Sequence, residues 1–242
     1  MITYFKERFE KMKILSIETS SDICAVCILE DKTKIKEITL SQGRTHSETL
    51  LPIINQIFEE TNLSLDDIDL LVCDIGPGSF TGIRIGVSTV KAFIDSKNIN
   101  SIGISSLEAL AYNVNQNGII CPIIDAKNNQ VYTCIYNLKD GTYKLEHEFF
   151  ADDITVLLNL LKELNSDITF VGDGIKTYKE QIEKNFANSN ICVNFSESNE
   201  LNAYNLALAG YNKFVNNENC DILPLYLKKP QAERELEKHA NN

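Results

Sequence analysis

Basic residues, histidines and long apolar runs are all scarce in this 242-residue chain. The 23 Lys and Arg are outnumbered by 34 Asp and Glu, giving a net charge of −11. That balance excludes broad nucleic-acid binding by this chain alone, because phosphate contacts need clustered Lys and Arg. Any nucleic acid has to come through a partner. The three histidines, His46, His147 and His239, are scattered. Neither a Ser-His-Asp arrangement nor an i, i+4 metal pair can be built from them, so a protease finds no support and no metal is expected. No apolar run approaches the ~18 residues of a membrane span. No low-complexity linker divides the chain, and its 43% hydrophobic content suffices for one large or two small domains.

Seven cysteines are present, and Cys24 and Cys27 have CxxC spacing. They sit in the β-like run Ile23-Cys24-Ala25-Val26-Cys27-Ile28, where side chains three apart point to opposite faces, so buried thiols are expected rather than a metal or redox pair. An odd count without a secretory signal fits a reducing cytoplasm, the expected location.

Residues 1–12 are charged and poorly patterned and are expected to be a frayed extension, with Met12 a candidate natural start. Strands are then predicted at 13–18, 23–29 and 33–40, a helix at 47–61, a strand at 70–75, a helix over 81–95, a strand at 99–104 and a helix at 106–115. The second half repeats this order: strands at 119–125, 130–137 and 142–150, a helix at 152–164, a strand at 168–171, a helix at 175–185, a short strand at 191–195 and a helix at 202–215. Lobes of 13–118 and 119–230 with a flexible tail at 231–242 follow. The class is α/β, a duplicated βββαβα fold of the two-lobe actin, sugar-kinase and Hsp70 (ASKHA) type, in which strand-end acids face a cleft that can hold ATP and a metal. Fold alone does not fix function.

The chemistry concentrates at Gly76-Pro77-Gly78-Ser79-Phe80-Thr81-Gly82-Ile83-Arg84-Ile85-Gly86, a glycine turn entering a helix. A helix N-terminus can hold an anion. However, this turn lacks the Lys of a Walker loop, and a close strand-to-helix turn is the favoured reading. On the helical wheel, Arg84, Ser88, Lys91 and Asp95 form a polar wedge, and the small stripe Gly82, Gly86, Thr89, Phe93 lies beside Ile83, Val87, Val90 and Ile94. That apolar surface exceeds what one sheet covers, and a second helix, from this chain or another, is its expected cover.

Together, Ile17-Glu18-Thr19-Ser20, Arg44-Thr45-His46-Ser47-Glu48-Thr49-Leu50-Leu51-Pro52, the glycine-turn helix, Ser105-Ser106-Leu107-Glu108-Ala109-Leu110 and Ile124-Asp125-Ala126 resemble, in order and spacing, the bacterial TsaB (YeaZ) proteins. The resemblance is dense over 13–125 and thinner beyond, where Gly172-Asp173-Gly174 and Pro224-Leu225-Tyr226-Leu227 carry it. It implies a non-catalytic scaffold of the system forming N6-threonylcarbamoyladenosine at position 37 of tRNAs reading ANN codons. Such a subunit pairs with a TsaD-type transferase, allows a TsaE-type ATPase to dock, meets tRNA only indirectly and can self-pair as a homodimer through the same surface.

That surface is expected to join Leu50, Leu51, Ile54, Ile57 and Phe58 of the first helix to Gly82, Gly86, Thr89 and Phe93 of the second. TsaD-type relatives hold a metal through His-x-x-x-His, but Leu50 stands where the second His would be. Weak nucleotide or anion contacts fall on Thr19, Gly76, Gly78, Ser79, Asp125, Gly172 and Gly174, with Glu18 and Asp125 facing the cleft. No cofactor is expected beyond weak ATP and magnesium in the complex. Glu18 replaces the family's usual Asp, Lys127 its frequent Arg and Gln130 its frequent Glu. The rival reading is a small-molecule kinase or ATPase, disfavoured because Thr19-Ser20-Ser21-Asp22 has no glycine.

Overall fold

A computed structural model describes residues 12–41 and 45–228. The expected extension, the start-site question, Arg44 and the charged tail lie outside these residues. Two five-stranded sheets have matching order. In the first, β3 (Thr33–Ser41), β2 (Ile23–Glu30), β1 (Lys13–Glu18), β4 (Leu70–Gly76) and β5 (Asn100–Ser105) lie side by side. In the second, the same places are taken by β8 (Thr142–Asp153), β7 (Gln130–Lys139), β6 (Gly118–Asp125), β9 (Ile168–Val171) and β10 (Val193–Phe195). β1 pairs antiparallel with β2 and parallel with β4, and β6 does the same with β7 and β9. The duplicated βββαβα arrangement is as expected.

Helices α1 (His46–Thr61), α2 (Phe80–Lys97) and α3 (Ser106–Ala111) follow β3, β4 and β5, while α4 (Ile154–Glu163), α5 (Gly174–Phe186) and α6 (Ala203–Val215) follow β8, β9 and β10. Strand alternation sorts side chains into three cores. Ile14, Cys27 and Val72 of the first sheet, with Ile120, Cys134 and Val171 of the second, enclose α3 and α6. Leu15, Ile17, Cys24 and Cys73 face α1 and α2, while Cys121, Ile123 and Phe170 face α4 and α5. Cys24 and Cys27 therefore diverge into different cores, and both are buried.

Division by sequence order needs one correction. α6 belongs to the second half of the chain but packs on β1 and β2 of the first sheet. Gly210 makes this approach possible, since a Cβ there would stand 2.5 Å from Val72 Cγ2. α3 is also shorter than predicted. It ends at Ala111, and Asn113 instead accepts hydrogen bonds from Asn205 Nδ2 (2.6 Å) and Asn202 Nδ2 (3.1 Å) at the start of α6. Among the described residues, no helix is long and apolar enough to cross a membrane.

Candidate functional site

Glu18 ends β1 and is fully buried, with no cleft exposure. The expectation that it faces the cleft is thus corrected. Its carboxylate folds back onto its own turn, accepting from Ser20 N–H (2.8 Å), Ser21 N–H (3.1 Å) and Ser21 Oγ (2.7 Å). Beside it lies Asp74 of β4, 1% exposed, accepting from Gly76 N–H (2.7 Å) and Ser106 Oγ (2.7 Å). Burial pushes the Glu18 carboxyl above the ordinary range against the pull of these serine hydrogen bonds. Burial and the neighbouring Glu18 charge push Asp74 well above it. The pairing with Asp74 and Ser106 was missed by sequence reasoning. Its one signal was an acid inside the otherwise apolar run 70–75.

The glycine turn is filled by the chain itself. Ser79 N–H donates to Ser20 O at 2.7 Å, and Ser79 Oγ caps α2 by accepting from Gly82 N–H at 3.2 Å. A Cβ on Gly78 would collide with the Ser20 carbonyl oxygen. Leu225 N–H donates to Ile75 O at 2.7 Å, and Tyr226 stacks on Phe80 at 4.7 Å while its hydroxyl accepts from Arg84 Nε at 2.9 Å. Thr19, also fully buried, donates its hydroxyl to Gly82 O at 2.8 Å. Thr19, Gly76, Gly78 and Ser79 thus take part in strand-to-helix packing.

In the second lobe, Gly172 has φ +113° and gives its N–H to Asn199 Oδ1 at 3.0 Å. Gly174 sits against the Ile123 carbonyl. These glycines also serve packing. Asp125 stays partly open: it holds Lys127 through N–H (2.8 Å) and Nζ (2.9 Å) and lies 3.3 Å from Thr177 Oγ1 and Tyr178 OH. Partial burial raises its carboxyl, but the Lys127 hydrogen bonds and charge outweigh burial and leave it below the ordinary range. His46 donates Nε2–H to Ser21 O at 2.9 Å, a turn-fixing role at the start of α1. Among the described residues, no group of three metal-ligating side chains forms.

The helix face needs a larger correction. Leu50, Ile54 and Ile57 are buried in the chain's own core, as is the unpredicted Ile53. Gly82 and Gly86 are also buried inward, where a Cβ on Gly82 would collide with Thr19 O and one on Gly86 would stand 2.5 Å from Thr19 Oγ1. The small stripe clears room for the β1–β2 turn. What remains accessible is Leu51, 57% exposed, with half-buried Phe58, Ile85, Thr89 and Phe93. The polar wedge of Arg84, Ser88, Lys91 and Asp95 faces solvent as expected.

Residues 33–235 match the family model for TsaD, tRNA N6-adenosine threonylcarbamoyltransferase. The chain is 31% identical over 229 residues to the tRNA threonylcarbamoyladenosine biosynthesis protein TsaB of Bacillus subtilis, covering 92% of this chain and 96% of that protein. To the protein of the same name from Haemophilus influenzae it is 29% identical over 238 residues, covering 94% and 98%. Among solved structures, YeaZ from Pseudomonas aeruginosa aligns with a TM-score of 0.71 at 22% identity, covering 89% of this chain and all of that one, a likeness of fold.

Proposed function

The chain belongs to the TsaB (YeaZ) family, and on that premise we propose that it is a non-catalytic scaffold in tRNA threonylcarbamoyladenosine biosynthesis, pairing with a TsaD-type transferase subunit and enabling a TsaE-type ATPase to dock. One observation carries the scaffold reading. The groups that a kinase of this architecture would turn toward a nucleotide are occupied within the chain: Ser79 N–H by Ser20 O, and Glu18 by its own turn. The net charge of −11 agrees with indirect contact to tRNA.

The partner surface under this proposal is the exposed ridge of α1 and α2, centred on Leu51 and flanked by Phe58, Thr89 and Phe93. A truncated or charged anchor at the centre of such an interface costs about 2 kcal/mol or more. Leu51→Asp is expected to weaken co-purification with a TsaD-type subunit while leaving the melting temperature unchanged. Wild-type affinity in that variant removes Leu51 from the surface. Titration calorimetry with ATP and magnesium on the isolated chain tests the scaffold role separately, because micromolar binding with turnover establishes the kinase or ATPase instead.

A further inference from the structure

Residues 224–228 leave the first lobe and end on the second. Pro224 fixes φ ahead of the crossing and lowers the entropy cost of ordering it. Leu225 N–H donates to Ile75 O of β4 at 2.7 Å, and its side chain packs with the core that faces α1 and α2. Tyr226 turns to the start of α2, onto Phe80 and Arg84. Leu227 packs against the core that both sheets share. Lys228 Nζ then donates to Ala126 O of the second lobe at 2.8 Å, with its ammonium 5.6 Å from the Tyr132 ring centre. Consecutive side chains therefore anchor one stretch of chain in both lobes.

The place of this crossing decides what it can do. At the end of the second sheet where β6 starts, the lobes are already tied, because Tyr143 stacks on Tyr112 at 4.1 Å and gives its hydroxyl proton to Val114 O at 2.7 Å. α3 and α6 hold the middle, between the sheets. The strap crosses at the opposite end, where β1 and β6 finish. There the Lys127 amine is held above its ordinary range first by its Asp125 hydrogen bond and, more weakly, by Asp22 of the first lobe. We propose that residues 224–228 latch this end shut: the Tyr226 anchor on α2 and the Lys228 anchor on Ala126 together set how far the β1–β2 turn stands from the β6–β7 turn. β6 has 8 residues and is a lever of about 26 Å, so a swing of about 10° about its start moves its end by about 5 Å. The latch also joins the cleft mouth to α2. Whatever lifts Arg84 from Tyr226 loosens the mouth, and the device belongs to this chain whatever partner α2 meets.

Nitroxide labels at Asp22→Cys and Lys127→Cys read that separation by pulsed electron paramagnetic resonance, in a full chain with Cys192→Ser and Cys220→Ser so that the remaining native thiols are buried. With the strap intact, one narrow distance is expected. Lys228→Met removes the donor but keeps the apolar stem, and is expected to lengthen the mean distance by about 5 Å. Tyr226→Ala, whose lost ring rests on the first lobe, is expected to lengthen it as well. Lys228→Arg keeps a donor and a cation over Tyr132 and is expected to hold the original distance. The latch needs both anchors, so an unchanged distance in either Lys228→Met or Tyr226→Ala overturns it. A shift in Lys228→Arg as large as in Lys228→Met does the same. Amide exchange of the unlabelled full chain gives a second reading that the labels cannot disturb. Ala126 N–H donates to Gln130 O at 2.9 Å in the second lobe, and Tyr226→Ala is expected to speed its exchange about tenfold. Unchanged exchange there would mean that the stretch frays without holding the lobes, and would overturn the proposal.

Discussion

In the first lobe, the acid that ends the leading strand, Glu18, is sealed beneath its own turn beside a second buried carboxylate, and the C-terminal stretch through Leu225 and Tyr226 covers the neighbouring glycine turn. In the second lobe, Asp125 at the same topological place is ion-paired to Lys127, whose side chain is 80% exposed. Strand order and helix placement are shared, so the contrast comes from a few side chains. Ser20 and Ser106 close the first site, whereas the second offers Lys127, Thr177 and Tyr178. One architecture thus holds a sealed turn and a half-open one, and the ridge of α1 and α2 lies on the sealed lobe.

The sharpest way to break this comparison is to add a methyl group to one helix-start glycine in each lobe. In Gly82→Ala the new Cβ collides with the Thr19 backbone, which cannot move without displacing Glu18, so a loss of about 2 to 3 kcal/mol in urea unfolding is expected despite alanine's better helix propensity. Gly174→Ala meets Ile123 atoms at 3.0–3.2 Å, where a small backbone shift suffices, and about 1 kcal/mol is expected. If Gly174→Ala proves the costlier, the first lobe is not the tighter one. Tyr226→Ala ranks third. It removes the ring stacked on Phe80 and the Arg84 hydrogen bond, for a loss of about 1 kcal/mol in thermal melts, and no loss would show that Ser20 alone fixes the start of α2.

The duplicated element order was legible because each strand carries an apolar run and each helix its own period. The outward wedge of Arg84, Ser88, Lys91 and Asp95 and the divergence of Cys24 from Cys27 also followed from periodicity. Periodicity could not say what covers a second apolar stripe. Gly82 and Gly86 look the same in sequence whether a partner helix or the chain's own turn approaches them. It likewise could not bring Asp74 to Ser20, 54 positions away, or return Leu225 and Tyr226 to the glycine turn. Contacts of that kind depend on long-range register, which a local pattern does not carry.

The smallest expected effect separates the lobes most cleanly, because the pH slopes have opposite signs. Asp125 lies below its ordinary range in the folded chain, so the stability it brings is present above the unfolded value near ~3.9 and is lost as pH falls through the folded one. Asp74 works the other way, losing its contribution as pH rises. Lys127→Ala is therefore expected to cost at most about 0.5 kcal/mol at neutral pH, because the lysine is solvated and the pair is screened. The difference from wild type should shrink to nothing in acid, where Asp125 is protonated in both proteins, and should also fade in high salt. Urea midpoints of the two proteins measured side by side down the acid range are sufficient. A gap that stays constant with pH would mean that Lys127 acts through the shape of its turn rather than through its charge.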